Sequence, residues 1–187
     1  IIAKDEAIAY GLTGPILRAS GVSYDVRKAF PYCGYQNFDF EIPVGTKGDN
    51  LDRFLVRFNE NNEALKICEQ ALKKLPGGPI NIDDPHIIMP PKDEVYGSIE
   101  GMISQFEIVF GGIKPPEGDV YFPVEGGNGE LGFYVVSDGS GRPYRVRVRP
   151  PCFVAMGIFG PLVEGHMVAD VVPLFGMINM IGGECDR

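Results

Sequence analysis

Apolar positions repeat at helical spacing over two long stretches of the chain. From Gly48 to Leu75 they fall at Leu51, Phe54, Leu55, Phe58, Leu65, Cys68, Leu72 and Leu75, on one side of a helix. Asp49 stands where an N-cap is wanted, and Asp52 suits the positive N-terminal end. Lys73 and Lys74 suit the last turn, and Pro76-Gly77-Gly78 stops the run. The pattern predicts a core helix with Cys68 packed on its apolar face. Glu94 to Phe110 repeats the period through Val95, Ile99, Met102, Ile103, Phe106, Val109 and Phe110, which predicts a second helix ended by Gly111-Gly112. Lys4 to Tyr10 reads as a short helix closed by Gly11. The stretch GLTGPILRASGVSYDVRKAFPY that follows is broken early by glycines and a proline, and reads as an irregular connector.

Strand patterns are shorter. Phe38 to Ile42, FDFEI, alternates apolar and acidic residues as a half-exposed strand does. Val120 to Val124 reads as another strand. The apolar run LGFYVVSDG meets Arg142–Arg149 across the turn Asp138-Gly139-Ser140-Gly141, a β-hairpin signal. In its second strand Arg145, Arg147 and Arg149 share one face and Tyr144, Val146 and Val148 the other. Pro79 to Lys92 is a proline-rich loop that contains His86, and a short helix is expected after Cys152. These pieces predict an α+β fold, a bundle of two or three long helices with a small antiparallel sheet.

The chain ends in GHMVADVVPLFGMINMIGGECDR. Met167 to Ile181 is apolar almost all round, which predicts a buried helix beginning near His166. The charges that follow, Glu184, Asp186 and Arg187, would then be delivered to an interior or an interface, where they must pair, change protonation or meet a ligand. The plainer reading is a surface tail trailing off a core helix.

Composition narrows the field. The chain has 187 residues with 17 Lys plus Arg against 25 Asp plus Glu, a net charge of −8. That balance argues against nucleic acid as a partner, since phosphate binding needs local positive charge. No apolar run is long enough to span a bilayer; Asp170, Pro173 and Asn179 interrupt the tail. The length fits one domain, and the start at Ile1 without Met reads as a segment of a longer polypeptide. The cysteines Cys33, Cys68, Cys152 and Cys185 are scattered singly, and His86 and His166 have no second ligand at metal spacing, so no metal site is expected. Gly127, Gly129 and Gly132 match G-x-G-x-x-G but lead into a strand instead of a helix, which rejects a dinucleotide fingerprint. Arg18, Asp25, Arg27 and Lys28 alternate in sign over a short span; ion-paired bracing and an exposed charged loop both fit them, the loop being the simpler.

Taken together, GPILRASGVSYDVRKAFPYCGY, PVGTKGDNLDRFLVR, VEGGNGELGFYVVSDGSGRPYRVRVRPP, HMVADVV and GECDR resemble the family of D-type subunits of the proton-pumping NADH:quinone oxidoreductase, respiratory complex I. The likeness covers residues 1–187 as the C-terminal half of such a protein. That family is similar to the large subunit of nickel–iron hydrogenases, whose tail carries Asp-x-Cys-x-x-Cys-x-x-His/Arg. With Arg187 last, the motif's Asp falls on Asn179 and its cysteines on Ile181 and Glu184. Neither can supply the soft sulfur that such a metal pair needs. Two positions depart from the family pattern: Asn179 replaces a more usual Asp, and Asn128 stands where relatives carry Lys in EAPKGE.

The resemblance implies a hydrogenase-large-subunit-like fold and a quinone cavity in place of the metal. On the matching positions Ile181 would be an apolar wall, with Glu184 and Arg187 a charged pair behind it and Asn179 and Asp186 nearby. Arg18, Asp25 and Arg27 remain structural ion-pair candidates. The implied partners are the subunit with the terminal iron–sulfur cluster and the membrane subunit below it. NADH, FMN and the clusters belong to other subunits, and no cofactor is expected on this chain alone. Location would be peripheral, on the cytoplasmic face of a bacterial plasma membrane. Residues 1–187 by themselves are expected to be inactive. The alternative is a non-catalytic interaction or assembly scaffold in a membrane-bound, hydrogenase-related complex.

Overall fold

A computed structural model describes residues 1–186. The chain folds into two compact units. The first joins Ile1–Leu75, Phe122–Gly132 and Val148 onward, and the second joins Pro76–Tyr121 and Phe133–Arg147.

The first unit begins with α1 (Lys4–Ala9), α2 (Gly14–Ala19) and α3 (Val26–Ala29). The stretch read as an irregular connector therefore contains a buried helix, α2. Pro15 lies in its first turn, where its missing N–H costs nothing and its fixed φ favours the helix. Gly14, at φ +68°, lets the chain enter it: a Cβ there would collide with the Gly129 backbone. Ile2, Ile16, Ile158 and Ile178, each 1 % exposed, form the centre of the core, which joins α1 and α2 to the C-terminal helices.

The predicted long helix is α4 (Asn50–Lys74), capped by the Asp49 side chain, which accepts from the Asp52 N–H at 2.8 Å. Its orientation overturns the expectation of an apolar face in the core. Leu51, Phe54, Leu55, Phe58, Leu65, Cys68 and Leu72 are all exposed. The side turned inward carries Arg53, Val56, Arg57 and Glu60 instead. Arg53 is 1 % exposed and donates to the Gly48 carbonyl and the Asn50 side chain. Periodicity locates a stripe but not the neighbour that covers it.

Phe38–Ile42 forms no strand. It runs beside α4, whose side chains replace a β-ladder: Gln70 accepts from the Asp39 N–H and donates to its carbonyl, and Glu63 accepts from the Glu41 N–H.

In the second unit the helix predicted over Glu94–Phe110 divides. α5 (Lys92–Gly97) stops at Ser98, whose extended backbone breaks the helix and whose hydroxyl caps α6 (Ile99–Phe106). A π-helical turn, Glu107–Gly111, follows. The apolar face is again open, with Ile99 69 % and Phe110 74 % exposed.

The strands β1 (Gly118–Gly126), β2 (Gly129–Ser137) and β3 (Arg145–Arg149) form a small antiparallel sheet in that order. The G-x-G-x-x-G match falls at the β1–β2 turn and opens no helix. The chain then forms α7 (Pro151–Met156), α8 (Phe159–Val163), α9 (Val168–Ile178) and α10 (Gly182–Cys185). α9 is not buried on all sides. Leu174 and Ile178 face the core, whereas Val168 is 88 % and Val172 76 % exposed. The fold is α+β as expected, with α4 its single long helix among the described residues.

Candidate functional site

Arg18 closes α2 inside the first unit, 2 % exposed. Its Nε donates to Glu60 on α4 at 2.6 Å, and its Nη1 donates to Glu125 on β1 at 2.9 Å and to the Tyr24 carbonyl at 2.8 Å. Asp25 lies 3.7 Å away. Asp25 caps α3 through the Arg27 N–H and receives the Arg27 guanidinium in a two-pronged pair at 2.9 and 2.6 Å. Of the two readings of this charge run, ion-paired bracing describes the geometry.

The carboxylates of the cluster differ in proton affinity. Burial pushes Asp25 up, but the Arg27 side chain holds it below the ordinary Asp range. Burial also pushes Glu125 up, and there the Arg18 charge does not fully offset it, so Glu125 binds its proton more tightly than an exposed Glu. Glu125 accepts from the Val26 N–H at 3.1 Å as well.

Beside this cluster is a cavity of about 450 Å³, lined by Arg18, Arg27, Arg57, Glu60, Glu125 and Asn179 among others. Its size falls within the range of about 300–1,000 Å³ common to small-molecule sites. Arg57 reaches it from α4. Its Nη atoms donate to the Gly127 and Ile178 carbonyls at 3.1 and 3.2 Å and to the Asn128 side chain at 3.3 Å. Its Nε is buried without a partner. All these acceptors are neutral, and burial lowers the pKa of Arg57 despite nearby Glu60.

Asn179 ends α9 in the left-handed region at φ 57°, a conformation Asn tolerates. Its Nδ2 donates to Asn128 Oδ1 at 2.8 Å. Asn128 and Asn179 are therefore hydrogen-bonded to each other, and the contact is neutral. Asn128 Nδ2 in turn donates to Cys152 Sγ at 3.3 Å. Burial, then the neighbouring Glu184, pushes the Cys152 thiol up to about 11.

Glu184 does not hang free. Its Oε2 accepts from the Cys152 N–H at 2.9 Å, in the first turn of α7, where a negative charge also suits the helix end. Of the tail candidates among the described residues, Asn179 lines the cavity, whereas Ile181, Glu184 and Asp186 do not. Ile181 is 50 % exposed, and Asp186 is exposed. Arg187, the expected partner of Glu184, lies outside the described residues. No group of three or more His, Cys, Asp or Glu suited to a metal ion occurs among the described residues. No described helix is long and apolar enough to cross a membrane.

Sequence reasoning missed Arg57, Glu60, Glu125 and Cys152 as members of this assembly. Arg18 and Glu125 are 107 positions apart, so no local spacing links them. No motif marks these residues; only the burial of Arg18, visible once α2 is folded, calls for acidic partners from elsewhere.

The family model for the respiratory-chain NADH dehydrogenase 49 Kd subunit matches residues 1–187. The chain belongs to this family. It is 59 % identical over 187 residues to the first D-type NADH-quinone oxidoreductase subunit of Sorangium cellulosum, covering all of this chain and 46 % of that protein. It is 53 % identical to the D-type subunit of Myxococcus xanthus, covering 45 % of it. It is 50 % identical to the fused C/D-type subunit of Bdellovibrio bacteriovorus, covering 33 % of it. The chain thus spans about half the length of the D-type relatives, as their C-terminal part.

Proposed function

We propose that this chain is the part of a D-type complex I subunit that forms the C-terminal wall of a quinone-reduction cavity, within a hydrogenase-large-subunit-like fold. The observation that carries this reading is how the tail is held. Asn179 is joined to Asn128, and Glu184 to the start of α7, so residues 179–184 are pinned at both ends beside a polar cavity. Family membership supplies the substrate class.

The donors fit a quinone headgroup in part. A quinone oxygen accepts hydrogen bonds, and Arg57 Nε is a buried cationic donor with its capacity unused. The described lining lacks the apolar wall that a ring needs; Ile181, half exposed and outside that lining, would supply it in the complete subunit. Reduction of a quinone to its quinol consumes protons as well as electrons. Glu125 suits a proton-holding role, because burial raises its affinity while Arg18 keeps Oε1 in place. Electrons would come from the flavin and iron–sulfur clusters of other subunits, with NADH as donor and a neighbouring subunit's terminal cluster next to the cavity. The complex would sit peripherally on the cytoplasmic side of the membrane through its membrane subunit.

Glu184→Gln in the complete enzyme tests the reading. The amide keeps an acceptor for the Cys152 N–H but removes the charge. Reduced quinone reductase activity with normal assembly is expected, and unchanged turnover would remove Glu184 from the mechanism. A scaffold reading also has an observation behind it, since Glu184 is engaged in capping α7. Ile181→Met separates the two. Altered sensitivity to quinone-site inhibitors supports the cavity, and a pure assembly defect supports the scaffold.

A further inference from the structure

Three arginines and three carboxylates meet at and beside the cavity of the first unit. Arg27 is matched by Asp25 at 2.6 Å. Arg18 faces two further carboxylates, Glu60 at 2.6 Å and Glu125 at 2.9 Å, one more than its single charge offsets. Arg57 lines the same cavity, and its hydrogen-bond acceptors among the described residues are all neutral. The charges of this group therefore sum to zero only while Glu125 is ionised. When Glu125 takes a proton, Arg18 balances Glu60, and Arg57 is left without a counter-charge. A partly desolvated cation draws an anion in place of its lost hydration. Arg57 also has donors to spare. Each Nη carries two N–H groups, and the acceptor of Nη1 among the described residues is the Gly127 carbonyl.

We propose that this cavity binds a small monovalent carboxylate against Arg57, together with one proton on Glu125. Charge sets the class of ligand. Arg57 can offset one negative charge, and Glu60 in the same lining repels a second, so a sulfate or phosphate dianion is disfavoured. Glu125 is placed to take the proton, with a side chain 4 % exposed. The charged and titratable groups around it are Arg18 from α2, Asp25 and Arg27 at α3, Glu60 and Arg57 from α4, and Tyr32, whose hydroxyl accepts from the Glu125 N–H at 2.9 Å. Burial already raises the proton affinity of Glu125, and an anion held nearby raises it further. A carboxylate in this place would take up donors offered to a quinone oxygen. That mutual exclusion rests on the quinone reading above; the binding itself does not.

The test uses the full-length protein in its assembled complex. Potassium acetate replaces potassium chloride at constant ionic strength, and hydrogen exchange is followed in the peptides that carry Arg57, Glu125 and Asn179. Acetate should slow exchange in these peptides relative to chloride at the same pH. Uptake of one proton with each anion makes the half-saturating acetate concentration rise about tenfold from pH 7 to pH 8, where acetate itself stays ionised. Glu125→Gln mimics the protonated carboxyl, so binding should persist with its pH dependence gone. Arg57→Gln should weaken binding at least about tenfold, and Arg57→Lys, which keeps the charge, by less. Equal protection in acetate and chloride overturns the proposal, as does a midpoint that does not move with pH in the unsubstituted protein. Undiminished binding by Arg57→Gln overturns it as well. Quinone turnover enters no part of the readout, so failure of the carboxylate site leaves the quinone reading standing.

Discussion

Replacing Arg18 by Met isolates what the buried ion cluster contributes. The methionine keeps most of the apolar stem and removes the charge. Three charge-assisted contacts go with it, to Glu60, Glu125 and the Tyr24 carbonyl. Asp25 retains Arg27, but Glu125, with a side chain 4 % exposed, loses its cation. Breaking a buried pair by removing one partner costs about 3–5 kcal/mol, because the other charge is left uncompensated. Equilibrium urea unfolding at a series of pH values measures it. The folded-state pKa of Glu125 already lies above its ordinary 4.5, so its contribution is fully present below that value and is lost as pH rises through the folded pKa. Loss of Arg18 raises that pKa further. The deficit of Arg18→Met should therefore grow from acid towards neutral pH. A loss below about 1 kcal/mol, the scale of a surface pair, would refute the reasoning. So would a deficit that does not change with pH.

Two further outcomes follow from the same unit. Gly14→Ala, at φ +68° and in contact with the Gly129 backbone, should destabilise by at least about 2 kcal/mol in thermal unfolding, where an ordinary Gly→Ala at a helix start would be neutral or better. The Cys152 thiol, 1 % exposed with a pKa of about 11, should resist a maleimide at pH 8 until the protein is denatured, and labelling in the folded state would contradict its burial.

Local signals in the sequence were reliable where the structure is local. Asp49 and the Pro76-Gly77-Gly78 stop bracket α4 closely, and the turn at Asp138–Gly141 joins β2 to β3. Reading failed where a partner distant in sequence decides. Pro15 reads as a breaker until α2 is seen to start on it. Phe38–Ile42 has the right alternation for a strand, but its backbone bonds go to Gln70 and Glu63 on a helix. The apolar stripe of α4 was visible as a stripe, yet its period is the same whether it is covered within residues 1–187 or from outside. Of the tail residues, Glu184, Asp186 and Arg187 were singled out by the charges that end an apolar run and Asn179 and Ile181 by a family motif, and of those described only Asn179 lines the cavity. Arg57, Glu60 and Glu125 have no motif, and only folding brings them beside Asn179.

The Asn128–Asn179 bond has a consequence for the ionisable cluster beside it. Carboxamides do not titrate in the physiological range, so this joint has the same donor and the same acceptor whatever the acid–base state of its surroundings. The end of α9 is thereby anchored to the β1–β2 turn by a fastening indifferent to pH. Glu125 can then gain or lose a proton nearby without that fastening changing its shape.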